Sequence, residues 1–200
     1  MEDQFPTVSS PAPKAEEGGL CNNLFYWLQT LVYAVVAIVL VFTFLGRITR
    51  VEGDSMLSTL HEGDLLLLQS VGYTPETGDV VVLNKTADET VALLGGDAIV
   101  KRVIATGGQT VYIDYNNAVV YVDGVALDEP YVNDDFLYEH SGPYSGQIPF
   151  VVPEGEIFVM GDNRNHSTDS RHPMLGTVDE GYVLGRAVCI LFPFSDFSSL

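Results

Sequence analysis

AIVKRVIATGGQTVYIDYNNAVVYVD, residues 98–123, holds three short runs rich in Val, Ile and Tyr, cut by Thr-Gly-Gly-Gln and by a pair of asparagines. β-Branched and aromatic side chains suit a pleated, half-buried surface, and Gly and Asn supply the backbone freedom of tight reversals. The stretch reads as strands at 98–105, 110–114 and 118–123, with Asn116-Asn117 as a hairpin turn. Outward from it the same rhythm continues, with candidate strands at 64–71, 79–84, 156–161 and 182–192 and a second turn at Asp123-Gly124. No window shows a sustained 3.6-residue apolar period, and there is no internal repeat. The expected fold class is mainly β: a barrel-like β domain over residues 46–200 that follows one N-terminal helix. Its one long connection, 130–153, carries Tyr131, Phe136, Tyr138 and Tyr144, and loops of that length tend to be functional or mobile.

The N-terminal segment is of another kind. Residues 24–45, LFYWLQTLVYAVVAIVLVFTFL, lie in a charge-free window bounded by Gly18 and Gly46. As a helix they reach ~33 Å, enough for a hydrocarbon core of ~30 Å. Phe25, Tyr26 and Trp27 suit an interfacial aromatic belt. A cleaved signal peptide fits less well, because the apolar core is long, the start is acidic and the exit is Leu45-Gly46-Arg47. The expectation is a single membrane-spanning helix at 24–45, preceded by a disordered tail over 1–23 with Pro6, Pro11 and Pro13. Lys14 on one side against Arg47 and Arg50 on the other weakly favours a cytoplasmic C-terminal side.

Hydrophobic residues make up 46% of the 200 and charged ones 18%, which excludes wholesale disorder. Nine Lys+Arg against 27 Asp+Glu give a net charge of −18. Phosphate backbones attract proteins through cations, so nucleic acid is a poor partner for this chain. The same charge disfavours adhesion to anionic lipid, and membrane attachment falls to the apolar segment. The two cysteines, Cys21 and Cys189, make no framework of several disulfides and have no CxxC partner; Cys189 reads as a buried thiol in an apolar run.

Three segments carry candidate chemistry. Lys101 sits mid-strand, and strand alternation puts it on one face with Ile99 and Val103. Burial disfavours the ammonium, by as much as ~3–5 pKa units in full burial, and a neutral amine is a general base. The placement equally fits an edge lysine that snorkels to water or pairs with a carboxylate. EGDSMLSTL, residues 52–60, sets Ser55 in a glycine-containing turn that can expose a hydroxyl and aim N–H groups at an oxyanion; it is also an ordinary loop composition. It lacks the G-x-S-x-G elbow, since position 57 is Leu. GDNRNHSTDSRH, residues 161–172, follows the apolar run 157–160. Arg164 occupies a place where a Ca²⁺ loop needs an oxygen, and His166 and His172 lack zinc spacing, so no metal is expected. The plain alternative is a self-satisfied polar turn in which Asp169 pairs with Arg171 or Arg164.

In this order behind one apolar helix, the segments resemble those of the type I signal peptidase family, peptidase family S26. These are membrane-anchored Ser/Lys endopeptidases that remove signal peptides from secreted preproteins. The resemblance rests on Gly53-Asp54-Ser55-Met56-Leu57-Ser58-Thr59-Leu60, Gly78-Asp79-Val80-Val81-Val82, Lys101-Arg102-Val103-Ile104 and residues 161–171. Tyr131-Val132-Asn133 and Val152-Pro153-Glu154-Gly155 add to it, and it covers residues 24 to about 192. It implies Ser55 as nucleophile, Lys101 as general base and Ser167 as the group that orients the lysine amine. Asp169 and Arg171 match a pair that shapes the loop, and Asp162 belongs with them. The oxyanion donors would be the Ser55 N–H and a backbone N–H or water at Gly53, where some members carry a serine hydroxyl. Val51 and Met56 would wall the pockets for a small-X-small cleavage motif, and Glu52 would face solvent. The implied partners are secretory preproteins and membrane lipid, not nucleic acid, with no cofactor. The implied layout, a cytoplasmic N-terminus and an extracytoplasmic catalytic domain, overrides the arginine count.

Two departures stand out. Ser58 replaces a usual Pro, which should loosen the turn. Ala105-Thr106-Gly107-Gly108-Gln109 replaces a usual Gly-Leu-Pro-Gly-Asp and reads as a more flexible reversal. Lys85, in a polar turn, is the weaker lysine. The rival readings are a self-cleaving repressor-type Ser/Lys protein, opposed by the anchor and the charge, and a catalytically inactive membrane-tethered β module that binds a partner. A Ser-His-Asp hydrolase using His61, His140 or His166 finds no setting that singles out one of them.

Overall fold

The computed structural model describes residues 19–44, 47–84, 98–132, 148–196 and 198–200. The chain divides into two compact units, 1–41 and 42–200. Most of the first unit is helix α1, Gly19–Phe44, 26 residues without a charge. Its window Asn23–Leu40 has mean hydropathy 1.8, and the helix is long and apolar enough to cross a membrane. The helix begins five residues before the apolar run, because the uncharged residues 19–23 continue the turn.

The second unit is mainly β. Its strands are β1 (Arg47–Arg50), β2 (Leu65–Gln69), β3 (Val80–Asn84), β4 (Ala98–Thr106), β5 (Thr110–Asp114), β6 (Val119–Val122), β7 (Val125–Ala126), β8 (Phe150–Val151), β9 (Glu156–Met160), β10 (Val178–Asp179) and β11 (Val183–Phe192). They form an antiparallel seven-stranded sheet, β1-β2-β11-β3-β4-β9-β10, and a four-stranded sheet, β7-β6-β5-β8. These orders run edge to edge, so barrel closure is not among the described pairings. All seven expected strands form, within about two residues of their sequence limits. The strands not foreseen, β1, β7, β8 and β10, have two to four residues, too few to show an alternation.

The turns follow from their residues. At Asp123-Gly124 both φ angles are positive, 52° and 79°, as a two-residue hairpin twisted with its strands requires. At 114–118 the Asp114 carboxylate accepts from the N–H groups of Asn116 and Asn117 and from the Asn117 amide, so the turn takes in Ala118 and β6 starts one residue later than expected. These bonds hold the Asp114 carboxyl below the usual range, with the Asn117 side chain first among them.

The reversal from β4 to β5 is braced, not slack as its composition suggests. The Gln109 side-chain oxygen accepts from Thr106 N–H at 2.8 Å, Gly108 N–H donates to Val152 O at 2.9 Å and Val152 N–H donates to Gln109 O at 2.9 Å. Gly107 is pressed on the 153–155 backbone, where an added Cβ would lie 2.9–3.0 Å from three main-chain atoms.

β4 lies between β3 and β9. One apolar cluster gathers Val51, Met56, Leu60, Leu66, Leu68, Val80, Val82 and Val100; another gathers Val81, Leu83, Val103, Ile157 and Val159, with Ile99 packed against it. The two sets alternate along β3, so both faces of this strand are buried, and Lys101 pairs across to Val81 in that setting. Cys189 is half-buried instead of buried, because the register shift between Ala187 and Cys189 turns it off the core rhythm. Cys21, Lys85, Phe136, Tyr138, Tyr144 and His140 bear on expectations that lie outside the described residues or side chains.

Overpacking against main chain has no flexible neighbour to relieve it. Gly107→Ala is expected to cost about 1–3 kcal/mol. The check is the thermal unfolding midpoint of the purified chain in detergent; a midpoint equal to wild type would show that the 107–109 reversal yields.

Candidate active site

Three segments meet at Lys101. The 51–64 connection between β1 and β2 is rooted by Val51, Met56 and Leu60, all at most 2% exposed. It is wound into a helical turn by Leu57 N–H to Asp54 O, Thr59 N–H to Met56 O and Leu60 N–H to Met56 O. Ser55 projects from this turn half-buried, while Gly53 and Glu52 are exposed. Lys101 is 3% exposed; its Nζ donates to Ser55 Oγ at 2.7 Å and to Val100 O at 3.0 Å. A half-buried hydroxyl thus abuts a buried amine, the pairing a nucleophile and its base require.

The third segment is the loop after β9. Asn163 N–H donates to Ser55 O at 3.1 Å and the Asn163 amide donates to Asp54 O at 3.0 Å, so the loop holds the serine turn by its backbone. Gly161 allows the approach: a Cβ there would lie 2.5 Å from Ser55 O and 2.3 Å from Ser167 Oγ. Ser167 is buried at this junction. Its Oγ falls short of hydrogen-bond geometry with any described group.

Three ion pairs give the loop its shape. Asp169 and Arg171, both fully buried, are joined by Arg171 Nε to Asp169 Oδ1 and Arg171 Nη2 to Asp169 Oδ2, each 2.8 Å. Gly161 N–H adds a bond to Asp169 at 3.0 Å. Burial alone would push the Asp169 carboxyl up; the Arg171 hydrogen bonds and charge outweigh it and hold the group below the ordinary carboxylate range. Asp162, 1% exposed, accepts both arms of Arg102, Nε at 2.8 Å and Nη2 at 2.7 Å, and the Thr59 hydroxyl at 2.5 Å. The residue beside the lysine is thereby tied to the loop and to the serine turn. Arg164, also buried, pairs with Glu129, which accepts Nη1 at 3.0 Å and also Nη2. Burial would lower its pKa, and the Glu129 bonds and charge reverse that.

The family follows from the chain's matches. The model of the family described as signal peptidase, peptidase S26, matches residues 24–192. The chain belongs to that family. It is 37% identical over 180 residues to the protein named probable signal peptidase I-1 of Synechocystis sp., covering 86% of this chain and 85% of that one. It is 36% identical over 181 residues to the signal peptidase I of Bacillus licheniformis, covering 88% and 92%. A crystal structure of a signal peptidase I from Enterococcus faecalis matches with a TM-score of 0.44 at 26% identity, over 57% of this chain and 97% of that one.

Within the family frame, the structure brings Ser55, Lys101, Asp162, Ser167, Asp169 and Arg171 together. Val51 and Met56 are both buried, in the core cluster under the serine turn. Asp169 takes Arg171 and not Arg164, whose partner is Glu129. His61 and His166 are exposed. Ser58, expected only to loosen its turn, has φ 85°, a conformation closed to proline, and its hydroxyl donates to Tyr131 O at 2.6 Å. Sequence reasoning missed Thr59, Glu129, Asn163 and the contact role of Gly161. The one signal for Glu129 was the fully polar setting of Arg164, a cation that must find an acid once buried.

Removing one member of a buried pair strands the other, so Asp169→Asn is expected to destabilise the fold by about 3–5 kcal/mol at neutral pH. The folded-state carboxyl is depressed, so its contribution is complete above the ordinary aspartate value near 3.9 and is lost as pH falls through the lower folded value. Urea unfolding across acidic pH checks this. The gap between wild type and variant should close as the medium becomes more acidic, and a gap constant with pH would contradict the assignment.

Proposed function

We propose that the chain is a membrane-anchored serine endopeptidase that removes signal peptides from preproteins, with Ser55 as nucleophile and Lys101 as its base. The observation that carries the reading is the 2.7 Å contact between a buried lysine amine and a half-buried serine hydroxyl. It sits within a chain whose named relatives are signal peptidases I.

In this mechanism the neutral amine of Lys101 takes the Ser55 hydroxyl proton as Oγ attacks the carbonyl carbon of the scissile bond. The Ser55 N–H and a donor at Gly53 stabilise the oxyanion. The intermediate collapses as the Lys101 ammonium gives its proton to the departing amine, leaving the signal peptide as an ester on Ser55. A water then repeats the sequence: Lys101 takes its proton, the oxygen attacks the ester carbonyl, and Ser55 Oγ leaves with the proton returned from Lys101. In this reading the buried Ser167 hydroxyl, which makes no hydrogen bond to a described group, orients the amine once substrate is bound, and Asp162, Asp169 and Arg171 hold the loop in place. The core positions of Val51 and Met56 suit a shallow subsite whose floor they underlie, selective for small residues such as those of an Ala-X-Ala motif. No metal or cofactor enters this scheme.

Helix α1 serves as the anchor in lipid, with the N-terminus cytoplasmic and the catalytic domain outside. The length and apolar composition of the helix support the anchoring, and the orientation rests on the layout that the family resemblance implies, against the count of Arg47 and Arg50. Protease added to intact cells should degrade a tag at the C-terminus and spare one at the N-terminus; the reverse pattern would invert the topology.

The test is cleavage of a labelled preprotein with an Ala-X-Ala site by the detergent-solubilised chain. Wild type should cut at that site, and Ser55→Ala and Lys101→Ala should each lose at least a thousandfold in kcat while keeping the β spectrum. The wild-type rate should rise with pH as Lys101 gives up its proton. A Ser55→Ala protein that cuts normally, or a rate flat from acid to alkali, would overturn the dyad.

A further inference from the structure

One short segment touches all three catalytic segments, although it belongs to none of them. Tyr131 has its ring over the guanidinium of Arg102, 3.8 Å from carbon to centroid, and Arg102 follows Lys101 on β4. The Tyr131 carbonyl accepts the Ser58 hydroxyl, three residues after Ser55. Its phenol donates to Glu129 Oε1 at 3.0 Å, and Glu129 in turn pairs with Arg164 of the 161–171 loop. Burial and the nearby Glu129 charge push the phenol pKa up, so it stays a neutral donor.

We propose that Tyr131 is a positioning residue for the peptidase reaction, a strap that sets the serine turn, the lysine strand and the polar loop at working distance from one another. This rests on the reading of Ser55 and Lys101 as the dyad. The physical route runs through Arg102. Its guanidinium is held between Asp162 and an aromatic face, which excludes water from the pair and keeps the fork flat on the carboxylate. Asp162 also accepts Thr59, so a slackened Arg102 loosens the serine turn and the lysine strand together. A misplacement of about 1 Å in reacting groups costs on the order of 100-fold in rate. Tyr131 reaches the dyad through Arg102 and Ser58, so kcat, and not KM, should register its loss.

The experiment compares Tyr131→Ala, Tyr131→Phe and Ser58→Gly with wild type on the labelled Ala-X-Ala preprotein, with amide hydrogen exchange on the same samples. Ser58→Gly removes the hydroxyl while accepting the positive φ, so it tests the strap without strain if Tyr131→Ala fails to fold. Tyr131→Ala should lower kcat at least tenfold with KM within twofold. Tyr131→Phe, which keeps the ring, should stay within about threefold, and Ser58→Gly should fall between. Exchange should quicken over residues 53–60 and 161–171 and stay unchanged in β5 and β6. A kcat loss of less than twofold in both Tyr131→Ala and Ser58→Gly, a loss confined to KM, or equal loss in the Phe and Ala variants would overturn the proposal. If the wild type does not cut, the peptidase reading fails on its own. Exchange then decides the strap, with local quickening supporting it and wild-type protection ending it.

Discussion

Everything at this site depends on an amine set into an aliphatic sheet. Lys101 pairs across to Val81 and stands between Val100 and Arg102 on a strand flanked on both sides. Lys101 is 3% exposed in that setting, and a base for serine must be a neutral amine. The serine must therefore come to the lysine, and the serine turn is carried there on Val51, Met56 and Leu60, three apolar roots sunk in the cluster that also holds Val100, the lysine's neighbour on β4. The hydroxyl is placed by hydrophobic packing a few residues away from it.

The polar loop obeys the opposite logic and arrives at the same rigidity. Asp162, Arg164, Asp169 and Arg171 are each no more than 1% exposed, so every charge needs a partner of good geometry. Arg102, Glu129 and the Asp169–Arg171 contact supply them. Such pairs add little net stability over a well-packed apolar core, yet breaking one is costly. That asymmetry makes the loop an all-or-none object, suited to fixing the Ser55 carbonyl through Asn163 and the narrow gap at Gly161.

The sheet architecture was legible because period-two patterning and turn chemistry are local. Strands β2 to β6, β9 and β11 and the Asp123-Gly124 hairpin need only their own residues. The short strands β1, β8 and β10 exist by pairing, a non-local fact that four or fewer residues cannot advertise. At the site, the type and order of Ser55, Lys101 and the 161–171 motif were visible. The wiring was not: Glu129 lies 35 positions from Arg164, and Ser58 lies 73 from Tyr131. The backbone at Ser58 was equally hidden, since nothing in the composition says that the residue standing for proline takes a positive φ.

The charge inventory takes its meaning from these contacts. Of nine cations in a chain with 27 acids, four, Lys101, Arg102, Arg164 and Arg171, are gathered at the site, and a fifth, Arg186, pairs with Asp79 on β3's approach. The acids outnumber the cations threefold, and the described exposed ones, such as Glu52 and Glu154, face water. An interior cation paired to a buried acid is screened little by salt, whereas the exposed negative excess is screened within about a Debye length of 8–10 Å. Fold and site are therefore insulated from the ionic medium by burial. The negative excess lies at the surface, where salt screens it, and the contact between Ser55 and Lys101 is set by packing within.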